Sequence, residues 1–203
     1  KKNNNKFEII FLDPPFAENS YIEELKLIYK KKFYKNDHII IIHREERSID
    51  PLLSLIKKVS EVCFMPLSLG GGISNIDDAS RLIQNGADKI VLNSAIYEDL
   101  SLIEKIAYKF GNQAVVASID VRRNHSTNKY DLYSNCGREK KSVDLVNHLK
   151  LIQDYGAGEI IITSIDQDGT MKGYDKDLIR IAVENTGIPI IGAGGAGTFD
   201  HLK

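Results

Sequence analysis

Cysteines, basic excess and long apolar runs are all scarce in this sequence, and each scarcity excludes a class of protein. The two cysteines, Cys63 and Cys136, are too few and too far apart for a disulfide framework or a zinc knuckle. No apolar stretch approaches the roughly 18 residues of a membrane span, and the opening KKNNNK lacks the apolar core of a signal peptide. We therefore expect a cytoplasmic protein with reduced thiols, no bound metal and no membrane contact.

The charge balance and the length restrict the expected ligands and the expected fold. A formal net charge of -1 argues against a surface committed to nucleic acid, so small anions are the expected ligands. The 203 residues, 42% of them hydrophobic, suffice for one sizeable core. They fall short of the roughly 250 residues of a complete (β/α)₈ barrel. Because the chain opens on Lys1 and stops at Lys203 just past a glycine-rich turn, we expect truncation at both ends.

Short runs of β-branched residues alternate with amphipathic segments in which apolar residues recur every three or four positions. The alternation predicts an α/β fold, an incomplete (β/α)₈ (TIM) barrel with about seven strands present and the eighth missing. The predicted strands are Glu8 to Leu12, His38 to Ile42, Met65 to Leu69, Lys89 to Leu92, Ala114 to Ile119, Glu159 to Thr163 and Pro189 to Gly192. The predicted helices are Ile22 to Lys32, Pro51 to Val59, Ile76 to Asn85, Leu100 to Phe110, Ser142 to Tyr155 and Lys176 to Asn185.

A polar insert interrupts the alternation between Arg122 and Arg138. Its stretch Lys129 to Tyr133 alternates polar and apolar residues, which predicts a small hairpin on the face of the barrel where active sites gather. The basic residues around the insert would either attract an anionic substrate or solvate a loop.

Two glycine turns follow buried strands in the same setting, 123 residues apart, as in a half-barrel repeat. Glycine lets the backbone approach a phosphate, and a following helix start offers unpaired N–H groups, although tight turns also need glycine for steric reasons alone. Two such sites would suit a substrate with a phosphate at each end. The candidate phosphate-binding residues are Gly71, Gly72, Asn93 and Ser94 for the first site, and Asp168, Gly169, Gly194 and Gly195 for the second.

Two aspartates occupy the carboxyl ends of predicted strands, which is the usual catalytic position in barrels. Asp120 directly follows the apolar run Ala-Val-Val-Ala-Ser-Ile. Burying a carboxylate there costs free energy, so it is expected only where the group has a partner or a function. We predict that Asp120 is a general acid/base, with a loop-capping aspartate as the alternative. Asp13 lies at the equivalent end of the first strand and would share proton donation and abstraction with Asp120.

Lys89 and Glu159 open their strands and therefore belong to the opposite, amino-terminal face of the barrel. On physical grounds alone they would form a stabilising salt-bridge layer there.

Several segments resemble one enzyme family, the cyclase subunit of imidazole glycerol phosphate synthase. They are Leu69-Gly-Gly-Gly-Ile73, Gly86-Ala-Asp-Lys-Ile-Val-Leu-Asn-Ser94, Phe110-Gly-Asn-Gln113, Ile119-Asp120, and Gly156-Ala-Gly-Glu-Ile-Ile-Ile-Thr-Ser-Ile-Asp-Gln-Asp-Gly-Thr-Met-Lys-Gly-Tyr-Asp175. The resemblance implies a lyase of histidine biosynthesis that forms a heterodimer with a glutaminase and needs no cofactor. It implies that ammonia from the glutaminase converts a bis-phosphorylated aminoimidazole carboxamide ribotide to imidazole glycerol phosphate.

The same resemblance gives residues specific roles. It implies catalysis at Asp120, substrate-phosphate binding at Gly72, Asn93, Ser94, Asp168, Gly169 and Gly195, and an ammonia gate at Lys89 and Glu159. Cys63 to Gly72 and Asp168 to Gly173 are more similar to a paralogous branch that delivers ammonia for amidation of bacterial surface sugars. That branch is an alternative function.

The first part of the chain departs from the family. Phe7 to Phe16, with the motif Asp13-Pro-Pro-Phe16, and His38 to Glu45 resemble the carboxyl-terminal part of a ribosomal-RNA guanine-N2 methyltransferase. A remnant of an RNA methyltransferase is therefore a second alternative. We predict two regions: residues 1–48, a βαβ segment standing in for the first barrel strands, and residues 49–203, a cyclase-type phosphate-binding barrel region.

Overall fold

A computed structural model of the chain describes residues 7–12, 27, 30, 34–43, 49–60 and 66–202. The chain divides into two compact units, residues 1–91 and residues 92–203. No helix in these described ranges combines the length and the apolarity that a membrane crossing requires. Asp13 and Cys63 lie outside the described residues.

The first unit is built from parallel strands with helices between them. Strand β1 pairs with β2, β2 with β3 and β3 with β4, all in parallel register. The last of these strands crosses the boundary between the units. The elements are β1 (Phe7–Leu12), β2 (Tyr34–His43), α1 (Asp50–Ser60), β3 (Leu67–Gly70), α2 (Ile76–Gln84) and β4 (Lys89–Leu92).

The core of the first unit explains why its short strands are stable. Leu67 and Leu69 on β3 are buried between neighbours, and Leu52 and Ile56 on α1 are fully inaccessible to solvent. A strand buried on both faces needs continuous apolar residues, which is typical of parallel sheets. Asp88 secures the start of β3, because its carboxylate accepts a hydrogen bond from the Leu67 amide at 2.7 Å.

The second unit continues the alternation and adds an antiparallel extension. Strand β5 pairs in parallel with β8, and β8 pairs in parallel with β9. The far half of β5 also pairs antiparallel with β6, which pairs antiparallel with β7. The elements are α3 (Ala95–Glu98), α4 (Ser101–Phe110), β5 (Val115–Asn124), β6 (Lys129–Ser134), β7 (Glu139–Lys141), α5 (Leu145–Asp154), β8 (Glu159–Ser164), α6 (Lys176–Asn185) and β9 (Ile190–Ala193), with 3-10 turns at Asn112–Ala114 and Phe199–Leu202.

These observations confirm the predicted fold class. The described residues contain four mutually parallel strands, β1 to β4, and three mutually parallel strands, β5, β8 and β9, alternating with helices. The predicted hairpin is present as β5 and β6, and the structure adds a third strand, β7. Leu27 and Lys30, the two described residues of the first predicted helix, are helical.

Candidate functional site

Asp120 occupies the position on β5 where the parallel sheet gives way to the antiparallel extension. Residues 115–119 of the strand are buried, and Asp120 is half-buried beside them. Its carboxylate accepts a hydrogen bond from the Asn93 side-chain amide at 3.0 Å. Asn93 directly follows β4, so two predicted site residues from successive strand ends are brought together.

Ser94 is joined to the antiparallel extension. Its hydroxyl accepts a hydrogen bond from the Asn135 backbone amide at 3.2 Å and lies 3.4 Å from the Asn135 side-chain oxygen. Asn135 belongs to the turn between β6 and β7 and has a positive φ of 51°. Sequence reasoning missed Asn135, although an asparagine in a tight polar turn is a recognisable signal for this conformation.

The second glycine turn is packed against the segment that follows β8. A Cβ on Gly194 would lie 2.7 Å from the Ser164 carbonyl oxygen and 3.3 Å from the Asp168 amide nitrogen. A Cβ on Gly195 would overlap the carbonyl of Gly173, whose amide donates to the Gly195 carbonyl at 2.7 Å. The turn and the Asp168 segment therefore form one continuous backbone surface.

Asp168 and Gly169 lie on the exposed side of this surface. Gly169 has a φ of +72°, and a Cβ there would meet no atom within 4 Å. A ligand can consequently approach its backbone closely. The structure thus brings together all four residues predicted for the second phosphate site: Asp168, Gly169, Gly194 and Gly195.

The first glycine turn leads into a helix that is already capped. Gly71 and Gly72 have φ values of +117° and +65°. The Asn75 side chain accepts the Asp78 amide hydrogen at 2.9 Å, and the acidic first turn of α2 weakens the attraction of its dipole for an anion. Phosphate binding here would rest on the glycine backbone rather than on the helix end.

The basic residues of the extension are neutralised by neighbours. Arg122 lies 3.7 Å from Asp166 and over the ring of Tyr133, while Arg123 lies 3.7 Å from Asp177 and over the ring of Tyr130. Of the two readings, the ion pairs favour a solvated, self-paired loop. An open groove of about 330 Å³ between the extension and the segment after β8 includes Arg123.

Lys89 and Glu159 stand at the first positions of β4 and β8, as the sequence predicts. Each is half-buried within its own unit. No group of three or more histidine, cysteine, aspartate or glutamate side chains is placed to hold a metal ion in the described part of the chain.

Comparison with known proteins identifies the family of the chain. A family model described as "Histidine biosynthesis protein" matches residues 17–203. The chain belongs to this histidine biosynthesis family. The imidazole glycerol phosphate synthase subunit HisF of Prochlorococcus marinus (strain NATL1A) is 42% identical over 160 residues. The aligned region covers 78% of this chain, and the chain spans 62% of the length of that relative.

The family match begins well inside the segment that resembles a methyltransferase. The match includes His38 to Glu45, and the comparisons do not support the methyltransferase resemblance. The division at residue 48 stays a prediction, and the boundary between the compact units lies at residues 91 and 92.

Sequence reasoning assigned no role to a stacked polar pair on α3 and α5. The rings of Tyr97 on α3 and His148 on α5 stack with centroids 4.7 Å apart and planes 13° from parallel. Burial, and then the charge of Asp120, raise the pKa of the Tyr97 hydroxyl above its usual value. Burial lowers the pKa of His148 to about 4. Both groups are therefore uncharged at neutral pH.

Proposed function

We propose that the protein is the cyclase subunit of imidazole glycerol phosphate synthase. In this role it receives ammonia from a glutaminase partner in the cytoplasm. With that ammonia it converts a bis-phosphorylated aminoimidazole carboxamide ribotide to imidazole glycerol phosphate. The observation that carries the proposal is the Asn93–Asp120 pair at two strand ends, in a chain 42% identical to a HisF subunit.

Asp120 supplies the acid/base group in this proposal. The Asn93 amide holds one carboxylate oxygen of Asp120 in a fixed direction. The carboxylate therefore loses less conformational freedom when it acts as a general base. Asp13, at the end of the first predicted strand, is the proposed second carboxylate. Dividing the proton transfers between two carboxylates requires that their surroundings differ.

The glycine turns supply anion recognition in this proposal. Gly194 and Gly195, with Asp168 and Gly169, offer backbone amides to one phosphate, and Gly71 and Gly72 offer theirs to another. Asn93 and Ser94 add side-chain donors. Because Asp168 is itself an anion, its backbone amide rather than its carboxylate is the expected phosphate contact.

The test is ammonia-dependent turnover of the bis-phosphate ribotide by the natural full-length protein and by Asp120→Asn. We expect a loss of about 10²- to 10⁴-fold in kcat, since a positioned acid/base group contributes that much. Asp154→Asn, on the exposed end of α5, is the matched control and should keep full turnover.

Unchanged turnover in Asp120→Asn would refute the acid/base assignment. A well-folded wild-type protein without cyclase turnover would refute the cyclase proposal. That result would favour ammonia delivery for sugar amidation, the paralogous alternative.

A further inference from the structure

The turn between β6 and β7, residues 135–138, reaches a predicted phosphate-binding residue at the end of β4. The Asn135 backbone amide donates to the Ser94 hydroxyl oxygen at 3.2 Å. The same hydroxyl donates its hydrogen to the Asn135 side-chain oxygen at 3.4 Å. This second bond is weak, because O–H···O bonds in proteins are usually about 2.5–3.0 Å long. The hydrogen of the Ser94 hydroxyl is therefore free to turn to a stronger acceptor.

Asn135 is itself held in place by the strand that follows the turn. Its side-chain amide donates to one oxygen of the Glu139 carboxylate at 2.7 Å, a short bond to a charged acceptor. The other oxygen of Glu139 accepts the Lys141 ammonium at 2.6 Å. Because the charge of Glu139 is paired, the anchor brings no unpaired negative charge toward Ser94.

The chain of contacts returns to the segment that carries Ser94. The Lys141 ammonium lies 5.7 Å from the centroid of the Tyr97 ring. The Tyr97 backbone amide donates to the Ser94 carbonyl at 3.2 Å. The antiparallel extension is thus fastened both to the Ser94 hydroxyl and to α3, the helix that begins directly after Ser94.

A phosphate would take one of the two Ser94 hydrogen bonds and leave the other intact. A serine hydroxyl has a single hydrogen to donate, whereas its oxygen can accept at the same time. A phosphate oxygen is charged and accepts more strongly than the neutral Asn135 side chain. After the hydrogen has turned to the phosphate, the Asn135 backbone amide still donates to the Ser94 oxygen and polarises the hydroxyl.

We propose that Asn135 is a positioning residue of the first phosphate site. Its backbone amide holds the Ser94 oxygen, and its side chain anchors the turn on Glu139 and receives the Ser94 hydrogen until a phosphate takes it. The polar insert thereby becomes part of the anion site. This inference rests on the proposed function, because it uses Ser94 as a phosphate ligand.

A turn that only stabilises the fold would behave differently from a turn that positions Ser94. Asn135→Gly tolerates the positive φ of 51° and keeps the backbone amide, but it removes the anchor on Glu139. With the Ser94 hydroxyl present, we expect Kd for phosphate to rise about fivefold, the contribution of one ordinary hydrogen bond. In a Ser94→Ala background, Asn135→Gly should have no further effect, because its action passes through the hydroxyl.

The experiment is a titration of the natural full-length protein with inorganic phosphate, followed at the Asn93 backbone amide by heteronuclear NMR. This signal reports the first phosphate site separately from the second. Ser94→Ala alone should weaken binding about tenfold, because a hydrogen bond to a charged ligand is lost. The matched control is Asn128→Gly. Asn128 also has a positive φ, 54°, but it precedes β6 rather than following it, and Kd should be unchanged.

Turnover provides the second readout. In Asn135→Gly, KM for the ribotide should rise about fivefold with kcat unchanged, because binding is lost equally from the ground state and the transition state. If Asn135→Gly does not fold, Glu139→Gln leaves position 135 intact and weakens its anchor. It should raise Kd for phosphate about twofold, again only when the Ser94 hydroxyl is present.

An equal change of Kd in the Ser94 and Ser94→Ala backgrounds, or no change in either, would overturn the positioning role. A failure of phosphate to shift the Asn93 signal would overturn it as well. If phosphate binds with the expected dependence on Ser94 but the wild type lacks cyclase turnover, the proposed function fails and the role of Asn135 stands.

Discussion

Gly195 and Gly169 differ in what surrounds them, although both have positive φ angles. We expect Gly195→Ala to destabilise the protein by about 3 kcal/mol or more, because the new methyl meets the Gly173 carbonyl in addition to the backbone strain. Gly169→Ala carries the strain alone and should cost about 1 kcal/mol. Urea unfolding measures both. Equal costs would show that the close packing of the two segments is not maintained in solution.

His148 makes stability depend on pH. Burial lowers its pKa from 6.5 to about 4, so the unfolded chain binds the proton more tightly. The contribution is present above pH 6.5 and is lost as the pH falls toward 4, in total about 3 kcal/mol. His148→Gln should flatten that part of the stability profile, as measured by urea unfolding at several pH values.

Individual residues show where sequence reasoning succeeds and where it ends. Asp120 was predictable as a strand-end carboxylate, because a charge after an apolar strand has few structural uses. Its contact with Asn93 depends on how two strand ends align, which a single sequence does not specify. Tyr97 and His148 are 51 positions apart, and each alone has the pattern of an ordinary packing residue.

At the scale of elements, Asp175 connects a helix to the antiparallel extension. Its carboxylate caps α6 by accepting the Leu178 amide at 3.0 Å, and it also accepts the Tyr130 hydroxyl at 3.0 Å. Burial, followed by this hydrogen bond, raises the pKa of Tyr130 to about 12. The same side chain therefore fixes both the helix start and the position of β6.

We expect Asp175→Ala to cost about 2–3 kcal/mol, because it removes the cap and leaves a half-buried tyrosine hydroxyl without its acceptor. Asp144→Ala is the matched control. It removes only the cap of α5, a 3.1 Å bond to the Asn147 amide, and should cost about 1 kcal/mol. Thermal unfolding of both variants checks the difference. A cost no greater for Asp175→Ala would show that the Tyr130 bond adds nothing.

The hydrophobic pattern predicted the ends of the elements well, except in the antiparallel extension and in very short elements. The predicted bounds of β4 agree with the structure, since its apolar run stops at a polar pair. Strand β5 extends to Asn124, because pairing with β6 stabilises residues too polar to be predicted as strand. Strand β7 and helix α3, of three and four residues, are too short to produce a recognisable period.

At the scale of the whole molecule, the predicted ammonia gate separates two activities. Lys89→Met or Glu159→Gln in the complex with glutaminase should lower glutamine-dependent turnover by about tenfold, with ammonia-dependent turnover unchanged. The expected difference follows from the proposed function, in which only ammonia delivered by the glutaminase enters through the opposite face of the barrel. Steady-state rates with each nitrogen source check this. Lys150→Met and Glu104→Gln, on exposed helix positions, should affect neither rate. An equal loss with both sources would favour the structural salt-bridge reading.

The fold class was predictable because short apolar runs alternate with amphipathic segments along the sequence. The family match from residue 17 agrees with the motifs after residue 69. It also covers a region where those motifs are absent, because apolar strands and amphipathic helices tolerate extensive replacement of their residues.

The turn after β3 is secured before any ligand arrives. Five hydrogen bonds among Ser74, Asn75 and Asp78 fix the segment that follows Gly72. A receptor loop with this much internal order loses little conformational freedom on binding. Titration calorimetry with inorganic phosphate should therefore show only a small entropic penalty at this turn. A synthetic ligand that fits this turn would therefore need rigidity only in the part that corresponds to the other end of the substrate.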